Sequence, residues 1–74
     1  MNVLLFGLIA EKAKTSQVSV EATSTHALKR ALESRIPGLR DLSYALAVDR
    51  TIVNEDRPLT GDEELALLPP FAGG

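Results

Sequence analysis

The segment Glu64-Leu65-Ala66-Leu67-Leu68, followed by Pro69-Pro70-Phe71-Ala72-Gly73-Gly74, decides how the rest of the sequence is interpreted. The apolar run predicts a final strand. Because proline fixes φ and favours an extended residue before it, we expect Leu68 to Pro70 to leave that strand as a semi-rigid arm. The tail, residues 69–74, then ends in two residues without side chains and in an α-carboxylate that is ionised at neutral pH. Such an arm suits insertion into another protein's active site, whereas a frayed terminus without function is the alternative.

Length and composition set the broad class. The 74 residues predict one domain spanning residues 1–74. The absence of cysteine excludes disulfides and any thiol chemistry of the chain itself. A net charge of −2 without a basic cluster gives no reason to expect nucleic acid. Apolar runs are too short to cross a bilayer, and no basic region precedes the first one, so we expect no membrane partner, no signal peptide and a cytoplasmic protein.

Hydrophobic patterning predicts an α+β fold with four or five strands and one main helix. Strands are expected at residues 3–6, 17–22, 44–48 and 64–68, with a turn and a short strand within 49–54. An apolar stripe predicts a helix over residues 27–35, with Ser24 as its N-cap and Pro37-Gly38 as its end. Residues 8–14 can form one or two further helical turns. One stable solution is a mixed sheet over the helix with the terminal strands parallel and adjacent, which is the β-grasp arrangement.

Alternation along the strands assigns the two faces of this sheet. The predicted core combines strand and helix residues, namely Val3, Leu5, Val18, Val20, Leu28, Ala31, Leu32, Ile36, Leu46, Val48, Leu65 and Leu67. The opposite face then carries Leu4, Phe6, Ser19, Ala45, Ala47, Ala66 and Leu68. A contiguous apolar face of this kind is typical of a partner surface. Swapped faces, or the ordinary background of exposed apolar residues, remain the alternatives.

The sequence shows little catalytic chemistry of its own. His26 has no second ligand or nucleophile at useful spacing, so we interpret it as a surface histidine and expect no metal site. Residues 62–64 form an acidic run that is interpreted as a solvated turn, with steering of a basic partner as the alternative. No phosphate-binding glycine loop and no nucleophile–base pair is visible, so the chain is not expected to catalyse a reaction alone.

The ending L-L-P-P-F-A-G-G, after P-L-T-G-D-E-E-L-A, resembles the small, sulfur-carrying subunits of molybdopterin synthase in the ubiquitin-like MoaD/ThiS family. The resemblance extends to the opening V-L-L-F-G, the helix around H-A-L-K-R-A-L and the A-L-A-V-D strand. The family commonly has asparagine where this chain has Asp49, and its G-D-E usually lies one residue nearer the last strand than Gly61-Asp62-Glu63 does. The resemblance implies a β-grasp, ubiquitin-like fold, in agreement with the predicted strand order.

The resemblance also implies a function. An adenylating activating enzyme would use ATP on the carboxylate of Gly74, which would then become a thiocarboxylate with sulfur from other proteins. The tail, with Gly73 beside the reacting group, would enter the large subunit of the synthase and donate sulfur to a cyclic pyranopterin monophosphate. The resemblance implies that the small and large subunits form a heterotetramer. The implied contact residues are Phe6, Ile52 and Leu68 on the sheet face and Pro69, Pro70 and Phe71 in the tail. No cofactor is expected on the chain itself.

Three alternatives share parts of this pattern. The thiamine-pathway sulfur carrier has the same fold and also ends in Gly-Gly, although it usually lacks the Pro-Pro. A ubiquitin-like modifier would instead be joined through Gly74 to lysines of target proteins. A plain interaction domain with an inert tail would do neither.

Overall fold

A mixed sheet of five strands is the frame of the computed structural model, which describes residues 1–69. Its strands are β1 (Asn2–Leu5), β2 (Gln17–Ser19), β3 (Ala45–Val48), β4 (Thr51–Ile52) and β5 (Leu65–Leu68). Two helices, α1 (Gly7–Ala13) and α2 (Thr25–Arg35), and a 3₁₀ turn at Leu39–Asp41 connect them. The spatial order is β2-β1-β5-β3-β4. Only β1 and β5 are parallel, and each other neighbouring pair is antiparallel. The predicted α+β, β-grasp arrangement is confirmed.

The parallel pairing of the terminal strands follows the predicted register. Val3 lies opposite Leu65, and Leu5 lies opposite Leu67. The first strand, however, ends one residue earlier than predicted, so the placement of Phe6 inside that strand was wrong. Phe6 is instead the N-cap of α1, and its carbonyl accepts the backbone N–H of Ile9 at 3.1 Å. The carbonyl is therefore used by a helical turn and not by the sheet.

Helix α2 is bounded by local signals in the sequence. The hydroxyl of Ser24 accepts the backbone N–H of Ala27 at 3.2 Å, so the predicted N-cap is confirmed. The helix begins at Thr25, two residues before the predicted start. It ends at Arg35, because Ile36 is already extended just ahead of Pro37.

The core lies between the sheet and the helices. Its buried members are Val3, Leu5, Ile9, Val20, Leu28, Leu32, Ile36, Leu39, Leu46, Val48, Val53, Leu59, Leu65 and Leu67. Ten of these belong to the predicted set, whereas Val18 and Ala31 are only partly buried. Ile9 is fully buried and comes from α1, whose irregular apolar spacing gave no clear face. Leu59 comes from a charged loop, where burial depends on what folds over it.

A buried threonine joins α2 to the loop before β5. The hydroxyl of Thr25 donates to the carbonyl of Glu55 and accepts the backbone N–H of Arg57, both at 2.9 Å. The backbone N–H of Thr25 also donates to the carbonyl of Arg57 at 2.9 Å. Thr25 is completely buried, so these bonds satisfy the polar groups of the loop where water cannot reach them.

A tight turn connects β3 to β4. Asp49 and Arg50 both have positive φ, 51° and 68°, as a two-residue hairpin turn of type I′ requires. Aspartate tolerates this conformation, and a side-chain oxygen of Asp49 also accepts the backbone N–H of Glu64 at 2.9 Å. The aspartate at this position thus supports the turn and the start of β5 together. Among residues 1–69, no helix is long and apolar enough to span a membrane.

Candidate functional site: the outer sheet face and the start of the tail

The sheet surface turned away from the core is called the outer face. Strand register defines it, because residues paired across neighbouring strands project to the same side. Leu4 pairs with Ala66, Ala66 with Ala47, and Ala47 with Ile52. Ala45 pairs with Leu68 at the end where β5 leaves the sheet. The outer face therefore continues without a break from β1 across β5 and β3 to β4.

Large apolar side chains on the outer face are open to solvent. Leu4 is 38% exposed, and Ile52 is 46% exposed. Leu68 and the alanines at positions 45 and 66 are half-buried. Ala47 was expected to be exposed, but it is only 7% accessible although it lies on this face. Small residues at the middle of a sheet between larger neighbours make a shallow apolar surface, which is typical of a docking site.

Phe6 extends this surface at the point where β1 meets α1. It follows Leu4 by two residues, has extended backbone angles and is 46% exposed. Leu8, in the first turn of α1, is also exposed, at 45%, but it is a helical residue and no strand register assigns it to the outer face. Its position in a short, irregularly patterned helix gave no signal that would assign it to a surface.

The tail begins beside this apolar region. Pro69 follows β5 directly, is half-buried and lies next to Gly7. The structure thus brings together Phe6, Leu68 and Pro69, while Ile52 lies on the same face two strands away from β5. Pro70, Phe71, Gly73 and Gly74 lie outside the described residues, and their roles stay predictions.

Ionisable groups in the described part of the chain form local structural contacts. His26 Nδ1 lies 3.9 Å from an oxygen of Asp56, and both side chains are exposed. The backbone N–H of His26 donates to Asp56 and is the main cause that lowers the pKa of that carboxyl. The backbone N–H groups of Thr60, and then of Gly61, likewise lower the pKa of Glu63. The carboxyl of Glu63, which the sequence placed in a solvated turn, therefore holds that turn together.

A shallow polar cleft lies on the side of the molecule formed by α2. It has a volume of about 340 Å³ and is lined by Arg30, Glu33, Ser34 and Arg40. Glu33 accepts the hydroxyl hydrogen of Tyr44 at 2.7 Å. Burial, together with this carboxylate, raises the pKa of Tyr44. Within residues 1–69, no group of three or more acidic, histidine or cysteine side chains is arranged to hold a metal ion.

Comparisons with known proteins agree with this fold. A crystal structure of SAMP1 from Haloferax volcanii superposes with a TM-score of 0.76, at 23% identity, over 99% of this chain and 97% of that one. At this identity the likeness shows the fold alone. A complex of subunits 1 and 2 of molybdopterin-converting factor from Helicobacter pylori contains a chain that matches with a TM-score of 0.70 and 28% identity. The match covers 99% of this chain and 96% of that one.

Sequence comparison identifies the family. The molybdopterin synthase sulfur carrier subunit of Escherichia coli is 30% identical over 80 aligned positions, which cover all of this chain and 99% of that protein. The profile of the ThiS family matches residues 3–74. These matches confirm the resemblance seen in the sequence, and the chain belongs to the ThiS family.

Proposed function

We propose that this chain is the sulfur-carrier subunit of a molybdopterin synthase. The observation that carries the proposal is the match to the Escherichia coli sulfur carrier subunit, which covers 99% of that relative. The family match also extends to residue 74 and so includes Gly73 and Gly74. The outer face supports the same proposal, because a carrier must dock on the proteins that load and unload its tail. The apolar side chains beside Pro69 offer such a surface.

The proposed chemistry takes place at the carboxylate of Gly74. A carboxylate resists attack by a sulfur nucleophile until one oxygen becomes part of a good leaving group. A separate adenylating enzyme would join AMP from ATP to the carboxylate and release pyrophosphate. Sulfur supplied by other proteins would then displace AMP and leave a thiocarboxylate. Since the chain contains no cysteine, its own terminus is where the sulfur would be carried.

In the second stage, the loaded tail would enter the large subunit of the synthase. The outer face would dock on the large subunit through Phe6, Ile52 and Leu68. The first tail residues, Pro69, Pro70 and Phe71, would contact the large subunit where the tail enters it. Attack of the thiocarboxylate sulfur on a cyclic pyranopterin monophosphate would form a new carbon–sulfur bond. Water would then cleave the bond between this sulfur and the Gly74 carbonyl and restore the carboxylate, and two such transfers would build the dithiolene of molybdopterin. We infer a cytoplasmic heterotetramer of two small and two large subunits. The two-subunit complex from Helicobacter pylori, whose matching chain is 28% identical, supports a partnership of this kind.

A loading experiment tests the proposal. The purified chain is incubated with the activating enzyme, ATP and a sulfur donor, and its intact mass is measured before and after addition of the large subunit and the pterin substrate. We expect the mass increment of one oxygen-to-sulfur replacement, and its disappearance on transfer. If the thiocarboxylate on Gly74 forms but is used only by a thiazole-forming system, the chain belongs to the thiamine pathway. A lysine conjugate would indicate a protein modifier.

Deletion of Gly74 tests the role of the terminus. The deletion should abolish sulfur transfer, because one residue changes the reach of the tail by about 3.3–3.6 Å and reacting atoms must be held about 3–3.5 Å apart. Extension by one alanine beyond Gly74 changes the length in the opposite direction and should also abolish transfer. Both variants should retain the melting temperature of the wild type. Full transfer activity in the deletion variant would contradict the proposal.

A further inference from the structure

The end of the parallel strand pair brings Gly7 beside Pro69. The paired register ends at Leu5 and Leu67, after which the first chain segment turns into α1 and the second continues to Pro69. Gly7 has a φ of +54°, a conformation that side chains with a β-carbon rarely adopt. A β-carbon at Gly7 would lie 3.0 Å from Cγ of Pro69 and 3.8 Å from its Cβ. The proline ring therefore occupies the space that a side chain at position 7 would need.

This contact differs from an ordinary strand ending. Proline has no N–H, so Pro69 cannot donate a hydrogen bond to continue the pairing with β1. The pyrrolidine ring is also rigid, so it cannot yield to an added β-carbon as the end of a flexible side chain could. Beyond the last paired residue of β5, the ring of Pro69 thus packs beside a residue without a side chain.

We propose that Gly7 and Pro69 form a steric joint that sets the direction in which the tail leaves the sheet. Gly7 is then a positioning residue for sulfur transfer, and this part of the inference rests on the proposed function. The five residues from 70 to 74 can reach at most about 16–18 Å. Over that length, a small rotation at Pro69 would shift the region that the terminal carboxylate can reach by several ångströms. The contact between Gly7 and Pro69 would thereby determine the direction in which the reacting group is presented.

A measurement on the free protein tests the joint without any sulfur chemistry. Because the chain has no cysteine, a single Glu11→Cys substitution on the exposed surface of α1 accepts one nitroxide label. Paramagnetic broadening of the Gly73 and Gly74 amides then reports where the tail points. Gly7→Val should change this broadening by about twofold or more, since it falls with the sixth power of a distance that the tail's reach can alter by ångströms. An unchanged broadening pattern would overturn the proposal.

The chain supplies a matched control and a second variant. Gly61 also has positive φ, +109°, but a β-carbon there meets nothing within 4 Å. Gly61→Val therefore imposes backbone strain of the same kind without touching the tail, and its broadening should equal that of the wild type. Pro69→Ala removes the ring atoms without straining position 7 and should alter the broadening even if Gly7→Val does not fold. Wild-type broadening in Pro69→Ala would overturn the joint.

Transfer kinetics test the positioning role. With the thiocarboxylate already formed, Gly7→Val should lower the single-turnover transfer rate by about a hundredfold, as expected for a misplacement of about 1 Å. The Kd for the large subunit should stay within about twofold of the wild type, a separation that simple unfolding would not produce. Altered broadening with an unchanged transfer rate would refute the positioning role. Failure of the wild type to form a thiocarboxylate would refute the proposed function, and the broadening data would still decide the joint.

Discussion

Removal of the Phe6 ring should weaken docking of the large subunit by an amount that the structure sets. The side chain is 46% exposed. Full burial of an aromatic side chain removes about 150–250 Å² from water, so about 70–115 Å² of Phe6 remains to be covered by a partner. At about 25 cal/mol per Å², this area contributes about 1.7–2.9 kcal/mol to binding. Phe6→Ala should therefore raise the Kd by about 16- to 120-fold.

Isothermal titration of the purified large subunit measures this change. The buried part of the ring also stabilises the fold, so Phe6→Ala should lower the free energy of unfolding by about 2–3 kcal/mol. The titration is therefore run at a low temperature at which circular dichroism shows the variant folded. Leu8→Ala is the matched control, because Leu8 is equally exposed, at 45%, but lies inside α1, whereas Phe6 is still extended and continues the alternation of β1 from Leu4. Its Kd should be that of the wild type.

Two outcomes would refute the reasoning. If folded Phe6→Ala binds as tightly as the wild type, the outer face is not the docking surface. If Leu8→Ala weakens binding as much as Phe6→Ala does, exposed apolar area alone decides affinity, and the face defined by strand register has no special part in docking.

Two further predictions concern stability. Thr25→Val should lower the free energy of unfolding by about 2–4 kcal/mol, because it leaves a buried loop carbonyl and amide without partners. Thr25→Ser keeps the hydroxyl and should lower this free energy much less. Chemical denaturation of both variants measures the difference. Glu63 has a lowered pKa in the folded state, so its contribution to stability is complete above the unfolded pKa and disappears as the pH falls through the folded pKa. Glu63→Gln should therefore flatten the acid side of the melting-temperature profile as the pH falls below the ordinary pKa of a glutamate; equal profiles for the wild type and Glu63→Gln would contradict this.

The strand order and the N-cap could be predicted because they depend on local signals. Ser24 precedes an apolar stripe with helical spacing, and that pattern needs no tertiary contact to be recognised. The parallel pairing of the terminal strands followed from the small number of ways to cover one main helix with these strands. Alternation along β1 and β5 likewise separated Leu4 from Val3 and Leu5 and so defined the outer face.

The residues that the sequence did not reveal are those whose environment comes from distant parts of the chain. Ile9 is buried because a short helix folds back over the core, although its apolar neighbours show no helical period. Thr25 resembles an exposed residue at a helix start, and only the return of the loop at residues 55–57 buries its hydroxyl. The joint at Gly7 depends on a backbone angle and on a neighbour 62 positions later in the chain, neither of which a local pattern encodes.

The central position of β5 in the sheet fixes the point from which the tail starts. An edge strand is held on one side only and frays easily, but β5 lies third of five strands and is paired on both sides. Its alternate residues, Leu65 and Leu67, are anchored in the core. The strand that leads into the tail is thus among the most constrained segments of the sheet up to Leu68. A substitution on the outer face can therefore alter docking while the base of the tail stays fixed, and a change at the Gly7–Pro69 joint can alter the aim while docking stays intact. Those two effects are separable only because the central strand holds the base of the tail in place.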